Sequence, residues 1–323
     1  ASGGGENVGS PAVETLPTVS SGPQITDAEC TAFGDAMEQA IADGDLARAN
    51  RLLNAEAILD KSTAKVDVDP MAIGAFKRGV LSTFKLASLF IDHHAQPKGS
   101  FQFLRIVESD TPRQVMFRLI QKGGAFSYYR FDLIRDSGGQ VVAGDIFPLA
   151  NGEYFSAIFR RLFLPIAANE SPGLLDRLFG KEQEMVANMP KLEQMTKAFQ
   201  SDQPARALEI YNTLPQSLKM EPSFLLLRLA AARQSGNNAE YISALNDTRR
   251  ATSVAIPVDF LSIDYNVLKG NYAEAHACIA RVDKALGGDP FLKHVIPAGL
   301  LVKEGKLAEA RATLTPLIDD KRL

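Results

Sequence analysis

KGNYAEAHACI, residues 269–279, joins a turn to the opening of a helix, and the chain repeats this pattern three more times. The glycine in the turn readily takes the left-handed backbone conformation that ends a helix, and small alanines follow it at helical spacing. The repeated pattern therefore predicts a series of helix–turn–helix hairpins. The other copies are SDQPARALEIY at 201–211, SGNNAEYISAL at 235–245 and EGKLAEARATL at 304–314.

The interval from one turn residue to the next is 34, 34 and 35 residues along the chain. This is the period of the tetratricopeptide repeat, and the segment from Leu192 to Leu323 resembles that family in period and turn chemistry. The resemblance implies an all-α superhelix of about four hairpins that holds another protein. The turn residues are Asp202, Gly236, Gly270 and Gly305.

Small residues after each turn are expected where the helices of a hairpin approach closely. One set comes three residues after the turn residue, and a second set comes five residues after it. Tyr241 takes the second position in one copy, which predicts looser packing or a shifted helix crossing there. The first set is Ala205, Ala239, Ala273 and Ala308, and the second is Ala207, Ala275 and Ala310.

Residues 25–165 have a different organisation. Apolar residues at steps of three and four predict helices at 27–42, after the turn at Asp43-Gly44, and from Pro70 to His93. The period then changes to two, and glycine-containing turns separate the last three of four strand candidates. These candidates begin at Phe101, Gln114, Phe126 and Gln140.

Helices followed by an antiparallel meander are the element order of an α+β roll. The order resembles the nuclear transport factor 2-like (NTF2-like) and cystatin-like folds, in which a curved sheet wraps a long helix. The sequence thus predicts an α+β roll followed by the helical superhelix, with connecting helices that make one rigid body. The predicted divisions are a flexible leader at 1–24, the roll at 25–165, a helical connector at 166–191 and the repeats at 192–323.

The leader combines Gly, Ser, Pro and Thr with few bulky apolar side chains, which predicts a flexible tether. It resembles the spacer that follows the lipidated cysteine of bacterial lipoproteins. The resemblance implies a bacterial origin, a possible lipid anchor upstream of Ala1 and a location in the cell envelope or periplasm. A trimmed cytoplasmic protein is the alternative.

The formal net charge of −3 gives no electrostatic reason to expect nucleic acid as a partner. No apolar run reaches the length of about 18 to 20 residues that a transmembrane segment requires. The two cysteines, Cys30 and Cys278, fall in different predicted helices and are expected to be buried thiols.

Asp92-His93-His94 is the only cluster of typical metal-binding or acid–base side chains in the sequence. It resembles the DHH motif of some phosphoesterases, but the chain lacks the further residues on parallel strand ends that those enzymes need. Histidines in the last turn of a helix interact well with its dipole, which favours a structural role. We therefore predict no catalytic residue, no metal and no cofactor.

The first candidate site is a groove along the first helices of the hairpins, which would bind a protein or peptide partner. Its mildly basic character favours an acidic or carboxylate-bearing ligand. A purely architectural array is the alternative. The groove residues are Arg228, Arg233, Asn266, Lys269 and Lys303.

The second candidate site is a small-molecule pocket inside the roll, which would make the roll ligand-binding or enzymatic and leave partner recruitment to the repeats. Side chains of one sheet face would line this pocket. The alternative is that the charged members form cross-strand ion pairs on a solvated face. The pocket residues are Arg118, Tyr128, Arg130 and Asp132.

Overall fold

The fold is mixed α+β, with one four-stranded antiparallel sheet and many helices, which confirms the α+β class predicted for the first half. The predicted leader lies outside the described residues apart from Gln24. The computed structural model describes residues 24–94, 99–109, 112–121, 124–171, 173–178, 180–251 and 256–318.

Helix α1 (Asp27–Ala42) opens the fold and spans the predicted residues. Thr26 caps it, because its hydroxyl accepts a hydrogen bond from the Glu29 amide while its own amide donates to the Glu29 carboxylate at 2.9 Å. Shorter helices follow. They are α2 (Leu46–Leu52), α3 (Ala55–Thr63), α4 (Pro70–Thr83) and α5 (Ser88–His94).

The single helix predicted from Pro70 to His93 is wrong, because the chain breaks between α4 and α5. Phe84 leaves the helix in an extended conformation, with φ −114° and ψ 106°. Just before it, the hydroxyls of Ser82 and Thr83 both donate to the carbonyl of Gly79 and compete with helical hydrogen bonds. Each of the two helices then buries an aromatic side chain of its own in the core.

The strands pair in the order β1-β2-β3-β4, all antiparallel, which confirms the predicted meander. The pairing register shifts between Phe103 and Arg105 and again between Asp132 and Leu133. Such irregularities bend a strand and increase its twist. The strands are β1 (Ser100–Val107), β2 (Arg113–Ile120), β3 (Phe126–Arg135) and β4 (Val141–Pro148).

The first face of the sheet packs on the N-terminal helices through aromatic side chains. Phe117 is fully buried at its centre, with its ring centroid 4.7 Å from that of Phe131 and 6.5 Å from that of Phe33 in α1. Phenylalanines thus fill the space between the sheet and the helices. The first face is formed by Val115, Phe117, Leu119, Phe131 and Leu133.

Three helices join the N-terminal α+β region, which we call the roll, to the hairpins. The first of them crosses the boundary predicted at residue 165 and packs on the core of the roll. Its Arg161 donates to both carboxylate oxygens of Glu153, at 2.6 and 2.5 Å, and to the hydroxyl of Ser223 in the C-terminal half. The helices are α6 (Phe155–Glu170), α7 (Leu174–Arg177) and α8 (Lys181–Ala187).

The described C-terminal residues form four helical hairpins. A short helix, α11 (Gln216–Lys219), separates the first two, and a π-helical turn (Phe291–Val295) leads into the last. The last helix ends in a 3₁₀ turn (Thr315–Leu317). The paired helices are α9 (Met189–Gln200) with α10 (Pro204–Asn212), α12 (Pro222–Gln234) with α13 (Asn238–Ala251), α14 (Ile256–Leu268) with α15 (Tyr272–Leu286), and α16 (Ile296–Lys303) with α17 (Leu307–Leu314).

The predicted turn chemistry of the hairpins is confirmed. Gly236, Gly270 and Gly305 have φ values of 69°, 69° and 78°, in the left-handed region. Asp202 occupies the same region at φ 57°, one of two residues other than glycine that do so within the described chain. All four turns therefore have one backbone geometry, although one of them lacks the residue best suited to it.

The prediction for the small residues is correct for one set and wrong for the other. Ala207, Ala275 and Ala310 are buried between helices, whereas the alanines two positions earlier are exposed. Two positions correspond to roughly 200° around a helix, so the two sets cannot share a face. Tyr241 is also buried and stacks on Tyr265 of the next hairpin, with ring centroids 4.1 Å apart.

Candidate functional site

The second face of the sheet is covered by the helical hairpins. Tyr128 is fully buried there, in one apolar cluster with Ile263 of α14 and Ile279 of α15. On the same face, the rings of Phe126 and Phe260 meet edge to face at 5.1 Å. The roll and the hairpins therefore share a hydrophobic core across this face.

A buried polar network links the two halves of the chain at this face. Arg118 donates to one carboxylate oxygen of Asp289 at 2.5 Å, and the Tyr128 hydroxyl donates to the other at 2.6 Å. Gln102 accepts a further hydrogen bond from Arg118 at 2.5 Å, and the guanidinium lies 4.8 Å from the centroid of Phe291. We call Arg118, Tyr128 and Asp289 the junction triad.

The expectation of cross-strand ion pairs on a solvated face is wrong, because Arg118 is 2% exposed and its ionic partner comes from the loop after α15. Burial raises the pKa of Tyr128 well above its usual value, and the negative charge of Asp289 raises it further. Tyr128 therefore stays a neutral hydrogen-bond donor. In this arrangement the triad holds two parts of the fold together.

The other two predicted pocket residues lie on the same face. Asp132 accepts hydrogen bonds from Gln114 at 2.8 Å and from the Tyr154 hydroxyl at 3.3 Å. Burial raises the pKa of Asp132, while these hydrogen bonds oppose the shift. Arg130 lies over the ring of Phe147 at 4.6 Å and donates to the Tyr154 hydroxyl at 3.5 Å. Both residues are held mainly by neighbours on the sheet and at the start of α6.

Arg130 also lines a cavity of about 460 Å³ between the second face and the C-terminal end of α15. Arg105 and Lys284 contribute two further positive charges, and Glu108 contributes a negative one. We call this space the junction cavity. Its apolar walls are formed by Ile106, Val107, Met116, Phe147, Leu149 and Leu286.

Two of the predicted groove residues are used inside the hairpins. Arg228 is buried and donates to Glu240 at 2.6 Å and to Asp247 at 2.5 Å, which ties α12 to α13. Asn266 is also buried and donates to the carbonyl of Ser262 at 2.9 Å. Both side chains therefore have partners within their own hairpins.

The other three groove residues are exposed. Arg233, Lys269 and Lys303 come one to three residues before a turn glycine, at the ends of α12, α14 and α16. The Lys269 ammonium lies over the ring of Tyr265, 5.7 Å from its centroid. Three cations are thus presented beside consecutive turns.

Contacts between neighbouring hairpins connect the four turns along the stack, and between the second and third hairpins the contact is the stacking of Tyr241 on Tyr265. Gln234, next to the second turn, donates to the carboxylate of Asp202 in the first turn. His276, soon after the third turn, lies 2.8 Å from Glu304 in the fourth. We call the edge formed by Asp202, Gly236, Gly270 and Gly305 the turn edge.

Asp289 was missed by the sequence analysis. It follows Gly287 and Gly288, whose φ values of 76° and 91° end α15. Its carboxylate also accepts from the Phe291 amide at 3.1 Å, so it caps the next helical segment. The Gly-Gly-Asp-Pro sequence indicates a helix stop and an N-cap, but no local signal indicates a partner on a distant strand.

The cysteine prediction is confirmed, because Cys30 and Cys278 are both free and buried. Burial raises the pKa of Cys30, and it raises the pKa of Cys278 to about 11. The side chains of His93 and His94 lie outside the described residues. Among the side chains that are described, no three or more of His, Cys, Asp and Glu form a metal-binding group.

Comparison with protein-family models, with curated proteins and with solved structures finds no match to this chain. None of the described helices has both the length and the apolar character needed to cross a membrane.

Proposed function

We propose that the protein is a non-enzymatic scaffold whose tetratricopeptide-like hairpins bind an acidic segment of a partner protein along the turn edge. The observation that carries this proposal is the row of exposed cations Arg233, Lys269 and Lys303 beside consecutive turns. Repeat arrays commonly present extended surfaces of this kind to partner proteins. A row of cations favours an acidic segment, mainly by speeding its association and by selecting against basic ones.

The filled interior of the roll supports a scaffold over a ligand-binding or enzymatic roll. Phe33, Phe117 and Phe131 pack against one another where an NTF2-like pocket would lie. Asp132, one of the predicted pocket residues, is held by Gln114 and Tyr154 on the other face. Catalysis inside the roll would need space that these aromatic side chains occupy.

The shared core at the second face supports a rigid scaffold and decides how to test it. Removing residues 192–323 would uncover Tyr128 and leave Arg118 without Asp289. A truncated chain would thus lose stability together with any binding surface. Point variants of the full chain separate a loss of binding from a loss of stability.

The experiment compares proteins retained from a lysate by three forms of the full chain. The first is the wild type, the second is the edge variant with Arg233→Glu, Lys269→Glu and Lys303→Glu, and the third is a control variant. All three forms are checked for equal melting temperatures. We expect the edge variant to retain about tenfold less of a partner protein than the wild type does, because three attractive charge interactions become repulsive.

The matched control reverses three exposed cations of the N-terminal half, with Arg51→Glu, Arg78→Glu and Lys85→Glu. This control should retain the partner, and the partner's binding segment should be acidic. Equal retention by the edge variant and the wild type would contradict the proposal, as would equal loss in the control.

A further inference from the structure

The junction cavity lies between two structural units, β1 to β4 on one side and the end of α15 on the other. Its volume of about 460 Å³ falls within the range of small-molecule sites. Its walls combine polar and apolar surface in similar proportion, and its charges come from Arg105, Arg130, Lys284 and Glu108. It therefore combines apolar surface with an excess of positive charge.

The two arginines of the cavity are incompletely satisfied. The Nη2 atom of Arg105 and the Nε atom of Arg130 are buried without a hydrogen-bond partner within the described chain. The bonds they do make are long, with Arg105 donating to the Gly288 carbonyl at 3.3 Å and Arg130 to Tyr154 at 3.5 Å. Both arginines thus have hydrogen-bonding capacity that the described residues do not use.

Arg118, on the same face, differs from them in having a carboxylate partner, although its own Nε atom is also buried without a hydrogen-bond partner among the described residues. It bonds to Asp289 and Gln102 at 2.5 Å. By contrast, no carboxylate lies within ion-pair distance of Arg105 or Arg130 among the described residues. Burial lowers the pKa of Arg105, although the nearby charges of Asp289 and Asp283 oppose this shift. An anionic ligand would supply the missing partner.

The surroundings limit the charge of that ligand. The C-terminal end of α15 carries the negative end of the helix dipole, and Glu108 adds a full negative charge. A multiply charged phosphate would be repelled by both. A single carboxylate, by contrast, matches the planar fork of an arginine and leaves the apolar walls to an apolar body.

We infer that the junction cavity binds a small monocarboxylate with an aliphatic or aromatic body. Its carboxylate contacts Arg105 and Arg130, and its apolar part lies against Met116, Phe147 and Leu286. Because the cavity is bounded by both halves of the chain, occupancy stabilises their junction. This site is independent of the turn edge.

Octanoate is the probe, and its binding to the full chain is measured by isothermal titration calorimetry. We expect octanoate to bind, and octan-1-ol and octyl phosphate to bind about tenfold more weakly, because one lacks the charge and the other carries too much. Arg105→Gln and Arg130→Gln should each weaken octanoate binding by about tenfold. Arg78→Gln, at an exposed site on α4, is the matched control and should not change it.

A second variant keeps the test decisive if the arginine variants do not fold. Val107→Trp fills the cavity from its partly exposed wall and adds a fluorophore to a chain that contains 0 tryptophans. It should abolish octanoate binding while the melting temperature is retained. The inference is overturned if octanoate does not bind at millimolar concentration, or if Val107→Trp leaves its affinity unchanged. Equal binding of octanoate and octan-1-ol would also overturn it, because the arginines would then have no role.

Discussion

The first face of the sheet is closed by phenylalanines, whereas the second face is closed in part by a charged network whose members lie far apart in the sequence. On the first face, Phe33 and Phe131 pack around Phe117. On the second, Arg118 and Tyr128 converge on Asp289. Apolar contacts stabilise a face without fixing one orientation, while a bidentate acceptor specifies where its donors must be.

The two faces of the sheet therefore depend on the C-terminal hairpins to different degrees. The first face would remain covered by α1 and α5 if the hairpins moved, because those helices precede the sheet. The second face would lose its cover, and the buried Arg118 would lose its partner Asp289. Desolvating an ion pair is costly, so the triad contributes to the specificity of docking more than to net stability.

The substitution that we expect to change stability most tests the junction triad on the second face. Asp289→Ala leaves Arg118 and Tyr128 buried without their acceptor, and we expect it to lower the free energy of unfolding by about 3–5 kcal/mol. Urea unfolding followed by far-ultraviolet circular dichroism measures the change. The double variant Arg118→Met with Asp289→Ala should be less destabilised than Asp289→Ala alone, since no charge is then left unpaired. Additive effects of the two substitutions would show that the triad does not act as a unit.

A smaller effect tests how tightly the first face is packed. A methyl group added at Gly34 of α1 would lie 2.5 Å from the ring of Phe103, so Gly34→Ala should lower the free energy of unfolding by about 1–3 kcal/mol. Gly79→Ala in α4 is the matched control, because nothing lies within 4 Å of the added methyl group. The control should be stabilised by about 0.5–1 kcal/mol through its helix propensity. Equal effects of the two substitutions in urea unfolding would contradict close packing of α1 on β1.

The smallest effect concerns the exposed border of the first face. The Thr26 amide, and next the guanidinium of Arg135 with bonds of 2.8 and 2.9 Å, hold the pKa of Glu29 at about 2 instead of 4.5. Because the folded-state pKa is lowered, the stabilisation is present above pH 4.5 and is lost as the pH falls towards 2.

Melting temperatures of the wild type and Glu29→Gln measure this contribution. The wild type should melt higher near neutral pH, and the difference should shrink on acidification and with added salt. The effect of Asp289→Ala should resist salt, because that ion pair is buried. A pH-independent difference between the wild type and Glu29→Gln would show that the charge of Glu29 does not stabilise the cap.

The elements that the sequence predicted well carry their signals locally. Apolar residues at helical spacing lie within α1 itself, and the turn glycines lie at the ends of helices. Alternation of apolar residues was enough to predict the strands and their meander. The break at Phe84 was harder, because apolar residues continue at helical spacing through it.

The candidate site was less predictable, because its partners are remote in sequence. Arg118 and Asp289 are separated by 171 positions, and polar residues that alternate with apolar ones are typical of a solvated face. The sequence thus grouped Arg118, Tyr128, Arg130 and Asp132 on one face, as the strand register requires. The hairpins cover that face, but their repeat pattern contains no signal for packing against the sheet.

Asp289 also sets an order of events during synthesis of the chain. A ribosome adds residues from the N-terminus, at about 5–20 per second, so β4 is complete roughly seven to thirty seconds before Asp289 has been added. During that interval the first face can close, while Arg118 and Tyr128 remain exposed on the nascent chain. The second face is therefore the surface that a chaperone would bind on the nascent chain. Synthesis of the loop after α15 would allow that face to be covered and the chaperone to dissociate.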